Sequence, residues 1–352
     1  MRTRIFHRRR SPETMGRGPD FIIIGAMKCA TSTLHEQLAI QSGLFMSRPK
    51  EPNFFSDDDI YAKGWDWYRG LFEGADERTL CGESSTHYTK LPTYPHTVAR
   101  IRRHLPRVKL IYIMRDPIER LISHYLHETI RGRINVSVDQ AIEQHPELTA
   151  YGLYSRQLES YLEAFGREGV LPVFFEHLVA HPQEELERIC RFIGYEGRPR
   201  WDFSMKAQNV TSEQLRKSVI RETIVNVSLL RRIRRWLVPR HWNERFKAFW
   251  RTTSERPMLM PESVQRLHAV FDADLARLGA RLGVEITSAT FREVASAGPH
   301  EWVEPQAYVS GGDPGGAFET VAPRHRWRIA PQGVNPPARQ VCGSSRRREG
   351  PP

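Results

Sequence analysis

Between residues 21 and 34 the chain reads FIIIGAMKCATSTL, with Lys28 three residues after Gly25 and three before a run of hydroxyl side chains, Thr31, Ser32 and Thr33. That order of residue types suits an anion such as phosphate or sulfate. The apolar, β-branched run Phe21 to Ile24 reads as a strand buried on both faces. Thr31 to Gln41, with Leu34 and Leu38 four apart, reads as the helix that follows. A turn between two such elements aims the helix's first amides outward, where the macrodipole favours negative charge, and Lys28 and the hydroxyls add charge and donors. An ordinary strand-to-helix turn with a surface lysine is the plainer alternative.

A second segment has the same shape. Val108 to Met114 reads as another buried strand and runs through Arg115-Asp116-Pro117 into a helical IERLISHYLHETI. Pro117 suits a first helical position and Asp116 the cap before it. Ligands of open parallel sheets sit outside the carboxyl ends of the strands, so Arg115 and the Lys28 loop can face one crevice. Arg115 as a solvated charge, or as a partner for Asp116, stays open on these residues alone. The nucleotide-binding pattern G-x-x-x-x-G-K-[ST] needs a second glycine and a lysine directly before the hydroxyl residue. This loop has neither.

Together the two segments resemble the sulfotransferases that use 3′-phosphoadenosine 5′-phosphosulfate. The family's 5′-phosphosulfate loop, typically K-x-G-T-T, appears here as Lys28-Cys29-Ala30-Thr31-Ser32, and its 3′-phosphate motif as Arg115 and Ser123. The resemblance implies donor binding by Lys28, Cys29, Ala30, Thr31, Ser32, Thr33, Arg115 and Ser123, with Tyr154 near the adenine. Ala30 in place of a usual glycine implies a backbone that avoids positive φ there. Lys50-Glu51-Pro52-Asn53-Phe54-Phe55 is similar to the K-E-x-x-F-F stretch of the heparan-sulfate-type and bacterial branches, which makes Glu51 the implied catalytic base; on the residues alone it also reads as a loop carboxylate paired with Lys50 or Arg48. Gly82 to Tyr88 (GESSTHY) resembles a later G-E-x-[ST]-P-x-Y segment but lacks its proline, and lacks the lysine that heparan enzymes carry after the Glu. Glu83 and His87 are the reserve bases. Phe174 to Leu178 is similar to a strand-plus-E-x-L segment that follows in the family.

Sulfuryl transfer to a hydroxyl resembles phosphoryl transfer, in which charge spreads over peripheral oxygens and the enzyme mostly positions and neutralises. A sulfuryl group carries less negative charge than a phosphoryl group, so a lysine, amides and hydroxyls suffice and no metal is expected. Lys28 is the candidate for stabilising the leaving oxygen. A carbohydrate or small-molecule acceptor, O- or N-linked, fits equally well. Trp65, Trp67 and Tyr68 either line its cleft or fill the core.

Apolar runs near 20–25, 79–82, 108–114 and 170–175 alternate with helical patterns near 31–41, 94–104, 117–130, 149–165, 182–193 and 261–282. That alternation predicts an α/β fold, a single P-loop-like domain over 19–287 with a central parallel sheet flanked by helices. The stripe Val264, Leu267, Phe271, Leu275, Leu278 and Leu282 reads as core packing. Residues 1–18 are basic and residues 288–352 rich in Gly, Pro and Arg, and both are expected to be disordered.

With 52 Lys and Arg against 41 Asp and Glu, the 352-residue chain has a net charge of +11, which raises a polyanion or nucleic-acid binder as a second class. Much of the excess is in the termini, without interleaved aromatics, so no specific nucleic acid is expected. Residues 228–237 (SLLRRIRRWL) form a basic amphipathic pattern: a surface helix packed on the domain, a weak contact with anionic lipid, or a cover for an active-site mouth. Four scattered cysteines argue against a zinc site or disulfide framework. Cys29, in the anion loop, either carries a lowered pKa or is a small residue at a tight turn. Reduced thiols, no long apolar stretch and an excess of Arg over Lys point to a bacterial cytoplasmic enzyme. A nucleotide kinase using Asp116 for magnesium is the alternative chemistry.

Overall fold

Among the described residues, five strands form one parallel sheet, in the order β2-β3-β1-β4-β5. They are β1 (Phe21–Gly25), β2 (Leu44–Met46), β3 (Leu80–Ser84), β4 (Lys109–Met114) and β5 (Val170–Phe174). The computed structural model describes residues 17–205 and 257–304, which belong to one compact unit. Every residue of β1 and β5 is buried, as a sheet covered on both faces requires. The short β2, a three-residue strand, escapes the sequence pattern because it is too brief to alternate or to form an apolar run.

The helices are α1 (Thr31–Ala39), α2 (Asp58–Tyr61), α3 (Trp65–Arg69), α4 (Thr97–His104), α5 (Pro117–Ile130), α6 (Val138–Gln144), α7 (Glu147–Ala150), α8 (Tyr154–Phe165), α9 (Phe175–Ala180), α10 (Pro182–Phe192), α11 (Pro261–Leu282) and α12 (Phe291–Ser296). On α11, Leu267, Phe271, Leu275, Leu278 and Leu282 are buried as the stripe predicts, and the helix stops at Gly283 with φ 67. The expected helix at 149–165 is two pieces, α7 and α8. The second is capped from elsewhere: Asp274 of α11, buried, accepts from the amides of Ser155 at 2.8 Å and Arg156 at 3.1 Å.

The ordered chain does not end at 287. Phe291 and Ala295 of α12 are fully buried, and Trp302 Nε1 donates to the Val170 carbonyl at 2.6 Å. The expected boundary falls short because a six-residue helix beside Ser, Ala and Gly shows too little periodicity to separate it from a tail. The 228–237 pattern lies outside the described residues, as do most of the two basic termini.

β1 is the switch point of the sheet, with β3 on one side and β4 on the other, so the crevice at its carboxyl end is the expected ligand site. The register slips there, with Gly25 rather than Ile24 opposite Tyr112. Gly25 has φ 151, and a Cβ on it would stand 2.0 Å from Thr89 Oγ1, so only glycine fits.

Candidate active site

Four non-glycine residues among those described hold a left-handed backbone: Lys28 (φ 72), Ala30 (φ 60), Glu51 (φ 60) and Asn53 (φ 54). They occupy the two loops singled out for chemistry. Such conformations cost roughly 1–2 kcal/mol for a non-glycine residue and persist where the surroundings over-determine them, commonly at functional sites. For Ala30 this overturns the expectation of negative φ. As the N-cap of α1, Ala30 must curl back so that its carbonyl accepts from Leu34 at 3.1 Å, and the missing glycine leaves the strain in place.

The β1–α1 loop and the end of β4 meet. Arg115 Nη1 donates to the Lys28 carbonyl at 3.4 Å, and its guanidinium lies 4.8 Å from the Phe175 ring centroid. No side chain caps α1, whereas α5 is capped by Asp116, whose Oδ1 accepts from Ile118 and Glu119 amides. Its other oxygen pairs with Arg292. A carboxylate spent on a cap and an arginine is poorly placed to hold magnesium, which counts against the kinase alternative. Thr31 is buried, Ser32 and Thr33 are half-buried on the first turn of α1, and Ser123 is half-buried on the second turn of α5.

Tyr154 departs from expectation. Its ring is fully buried, and its hydroxyl donates to the Arg115 carbonyl at 2.6 Å and accepts from the Arg115 amide at 3.2 Å. It fixes the arginine's peptide instead of offering a face to an adenine. Cys29 also turns inward: it is fully buried, and burial pushes its thiol up to about 12, against the lowered pKa that an anion loop could give it.

Glu51 stands at the same sheet edge. Its amide donates to the Ser84 carbonyl at 2.9 Å, and Ser84 pairs in register with Ile23 of β1. Its carboxylate accepts from Lys50 Nζ at 2.8 Å and from Thr86 Oγ1 at 3.3 Å. Burial pushes this carboxyl up, but Lys50, with Lys90 and His87, outweighs burial and holds it below the usual range. It is ionised at neutral pH, as a base must be. Phe54 and Phe55 anchor the loop in an aromatic core in which Tyr68 stacks on Phe54 at 4.6 Å. Of the three aromatics of the Trp65–Tyr68 stretch, Tyr68 is fully buried and Trp65 packs partly buried against the core, whereas Trp67 is 36% exposed.

Of the reserve bases, Glu83 is fully buried and accepts from Tyr68 at 2.8 Å, and burial raises it to about 7. His87, stacked on Tyr94, is pressed by burial and Lys90 to about 3.

The electrostatics couple the two loops through shared neighbours, since Arg131 and Glu128 act on both Lys28 and Lys90. Burial, with Arg115 and Arg131, lowers Lys28 to about 8. Burial also lowers Lys90 to about 8, with Glu51 and Glu128 pulling upward and Arg120 and Arg131 downward. His127 is held at about 4 by burial, Lys28, Arg131 and Lys90. Lys90, His127 and Arg131 escaped the sequence reading. His127 and Arg131 do follow Ser123 at successive four-residue steps, which was the available signal; Lys90 had none.

A model described as the Sulfotransferase family matches residues 69–199. Heparan sulfate glucosamine 3-O-sulfotransferase 3B1 of Mus musculus is 34% identical over 189 residues, covering 50% of this chain and 46% of that protein. Bifunctional heparan sulfate N-deacetylase/N-sulfotransferase 2 of Bos taurus is 28% identical over 203 residues, covering 52% of this chain and 22% of that protein. The chain therefore spans about half the length of the first relative and about a fifth of the second. Among solved structures, a sulfotransferase from Alicyclobacillus acidocaldarius superposes with a TM-score of 0.54 at 25% identity, covering 77% of this chain and 98% of that one.

Proposed function

We propose that this chain is a sulfotransferase that moves a sulfuryl group from 3′-phosphoadenosine 5′-phosphosulfate to a hydroxyl or amine of a carbohydrate or small-molecule acceptor, a reading supported by the family match and the similar proteins. The observation that carries the reading is the clustering of strain and charge. Lys28 and Glu51 each hold a left-handed backbone with a second such residue two positions on, and Arg115 contacts the Lys28 loop at the carboxyl edge of β1. The heparan sulfate activity in the relatives' names favours a carbohydrate acceptor.

In the proposed reaction the α1 amides, Lys28 and the loop hydroxyls hold the 5′ end of the donor, and Arg115 with Ser123 holds the 3′-phosphate. The acceptor oxygen or nitrogen forms a bond to sulfur as the bond from sulfur to the bridging phosphate oxygen breaks in line. Glu51 takes the acceptor's proton, Lys28 neutralises charge on the departing oxygen, and adenosine 3′,5′-bisphosphate leaves. Lys90 adds a second cation beside Glu51. The buried thiols Cys29, Cys81 and Cys190 suit a reducing compartment, and a cytoplasmic site of action is part of the proposal.

The test is a screen of acceptors with labelled donor, followed by Glu51→Gln. Loss of a general base costs ~10²–10⁴-fold in turnover, while stabilisation by adenosine 3′,5′-bisphosphate in a thermal shift is expected to persist. Unchanged turnover would shift the base to Glu83 or His87. A protein that the bisphosphate leaves unstabilised would defeat the donor assignment.

A further inference from the structure

Arg115 stands in acidic company. Asp116 follows it, Glu119 Oε2 lies 3.6 Å from its Nη2, and Glu176 Oε1 accepts from the Asp116 amide at 3.0 Å. Carboxylates so close to a guanidinium compete with any anionic ligand for it. At 3.6 Å the contact with Glu119 is an ion pair without a hydrogen bond. A small rotation of the glutamate would close it.

A second cation arrives from beyond the expected domain boundary. Arg292 of α12 places Nη2 2.8 Å from Glu119 Oε1 and Nε 3.1 Å from Asp116 Oδ2. Glu119 therefore divides its two oxygens between two arginines, and the shorter contact is with Arg292. The helix is pinned where this requires it. The buried Phe291 ring lies 6.3 Å from that of Tyr154 and 5.6 Å from that of Phe174. Tyr154 is the residue that fixes the Arg115 peptide, so α12 reaches that peptide by packing as well as by charge.

We infer that Arg292 is a positioning residue for the anion site: by engaging Glu119 and Asp116 it keeps the Arg115 guanidinium available to the 3′-phosphate of the donor nucleotide. The inference rests on the sulfotransferase reading, and its test separates the two. Adenosine 3′,5′-bisphosphate is titrated calorimetrically into the full chain and into Arg292→Ala, Arg292→Lys, Glu119→Gln and the double variant Arg292→Ala/Glu119→Gln.

Arg292 is 60% exposed, so its truncation leaves the buried side of α12 intact. Arg292→Ala is expected to weaken binding about three- to tenfold, the scale of a partly exposed charge interaction. Arg292→Lys restores most of that affinity. In the Glu119→Gln background the same alanine substitution costs less than twofold, because the competing charge is gone. A merely structural arginine would show no such coupling. In turnover the loss falls on the KM for the donor more than on kcat.

Wild-type affinity in Arg292→Ala, or an undiminished loss in the Glu119→Gln background, overturns the inference and leaves the sulfotransferase reading standing. Failure of the wild-type chain to bind the bisphosphate at all overturns both.

Discussion

Binding of adenosine 3′,5′-bisphosphate should draw protons onto the protein, in an amount set by two lysines. Lys28 and Lys90 are both held at about 8, chiefly by burial. A lysine with that pKa is about half charged at pH 8 and about nine-tenths charged at pH 7. A polyanion placed beside both favours their charged forms and raises both pKa values. Uptake is therefore expected to be about one proton at pH 8, about half from each lysine, and about 0.2 at pH 7. His127, held at about 4, is too far below this window to contribute at pH 8. The assay is calorimetric titration at each pH in buffers of different ionisation enthalpy, the slope of observed heat against buffer enthalpy giving the protons bound. Lys28→Met and Lys90→Met should each remove about half of the uptake at pH 8. A slope of zero at pH 8 in the wild-type protein would mean that neither ammonium faces the ligand, and the placing of both lysines at the anion site would fall.

Two further substitutions test the backbone account. Ala30→Gly relieves a left-handed alanine at the cost of a more flexible unfolded chain, so a net gain of about 0.5–1 kcal/mol is expected; a lower midpoint in urea unfolding would show that φ there carries no strain. Asp274→Ala strips the cap from α8 and leaves the buried Ser155 amide and the part-buried Arg156 amide unpaired, for an expected loss of about 2–3 kcal/mol. A loss under about 0.5 kcal/mol in the same assay would refute the capping role.

What the sequence made legible was local in origin. Lys28 and Arg115 could be placed on one rim because each follows an apolar β-branched run, and a parallel sheet sends such strand ends to one edge. The Asp116 cap and Pro117 start of α5 were readable from adjacent residues. The Asp274 cap on α8 was not, since donor and acceptor lie 119 and 118 positions apart. Arg292 was hidden in the same way, 176 residues from Asp116 on a helix too short to show a period. Tyr154 misled for a related reason: a tyrosine before an amphipathic helix looks the same whether its ring lines a cleft or lies beneath one. Ala30 misled because propensity counts the cost of positive φ but not the closure of the loop that enforces it.

That enforcement explains why the Glu51 loop can be strained at all. Glu51 and Asn53 sit at φ 60 and 54 directly before two phenylalanines with 1% and 0% exposure. Asparagine tolerates the left-handed region, so most of the cost is at Glu51, roughly 1–2 kcal/mol. Burying each phenylalanine contributes about 1.5–3 kcal/mol, more than enough to offset it. Phe54 stacks on Tyr68, whose hydroxyl donates to Glu83 on β3, and Glu51 itself pairs with the Ser84 carbonyl one residue later on that strand. The carboxylate is thus fixed from below by the aromatic core and from the side by the sheet. In the proposed reaction its side chain would need only to exchange Lys50 for an acceptor proton, and the strained backbone would not have to move.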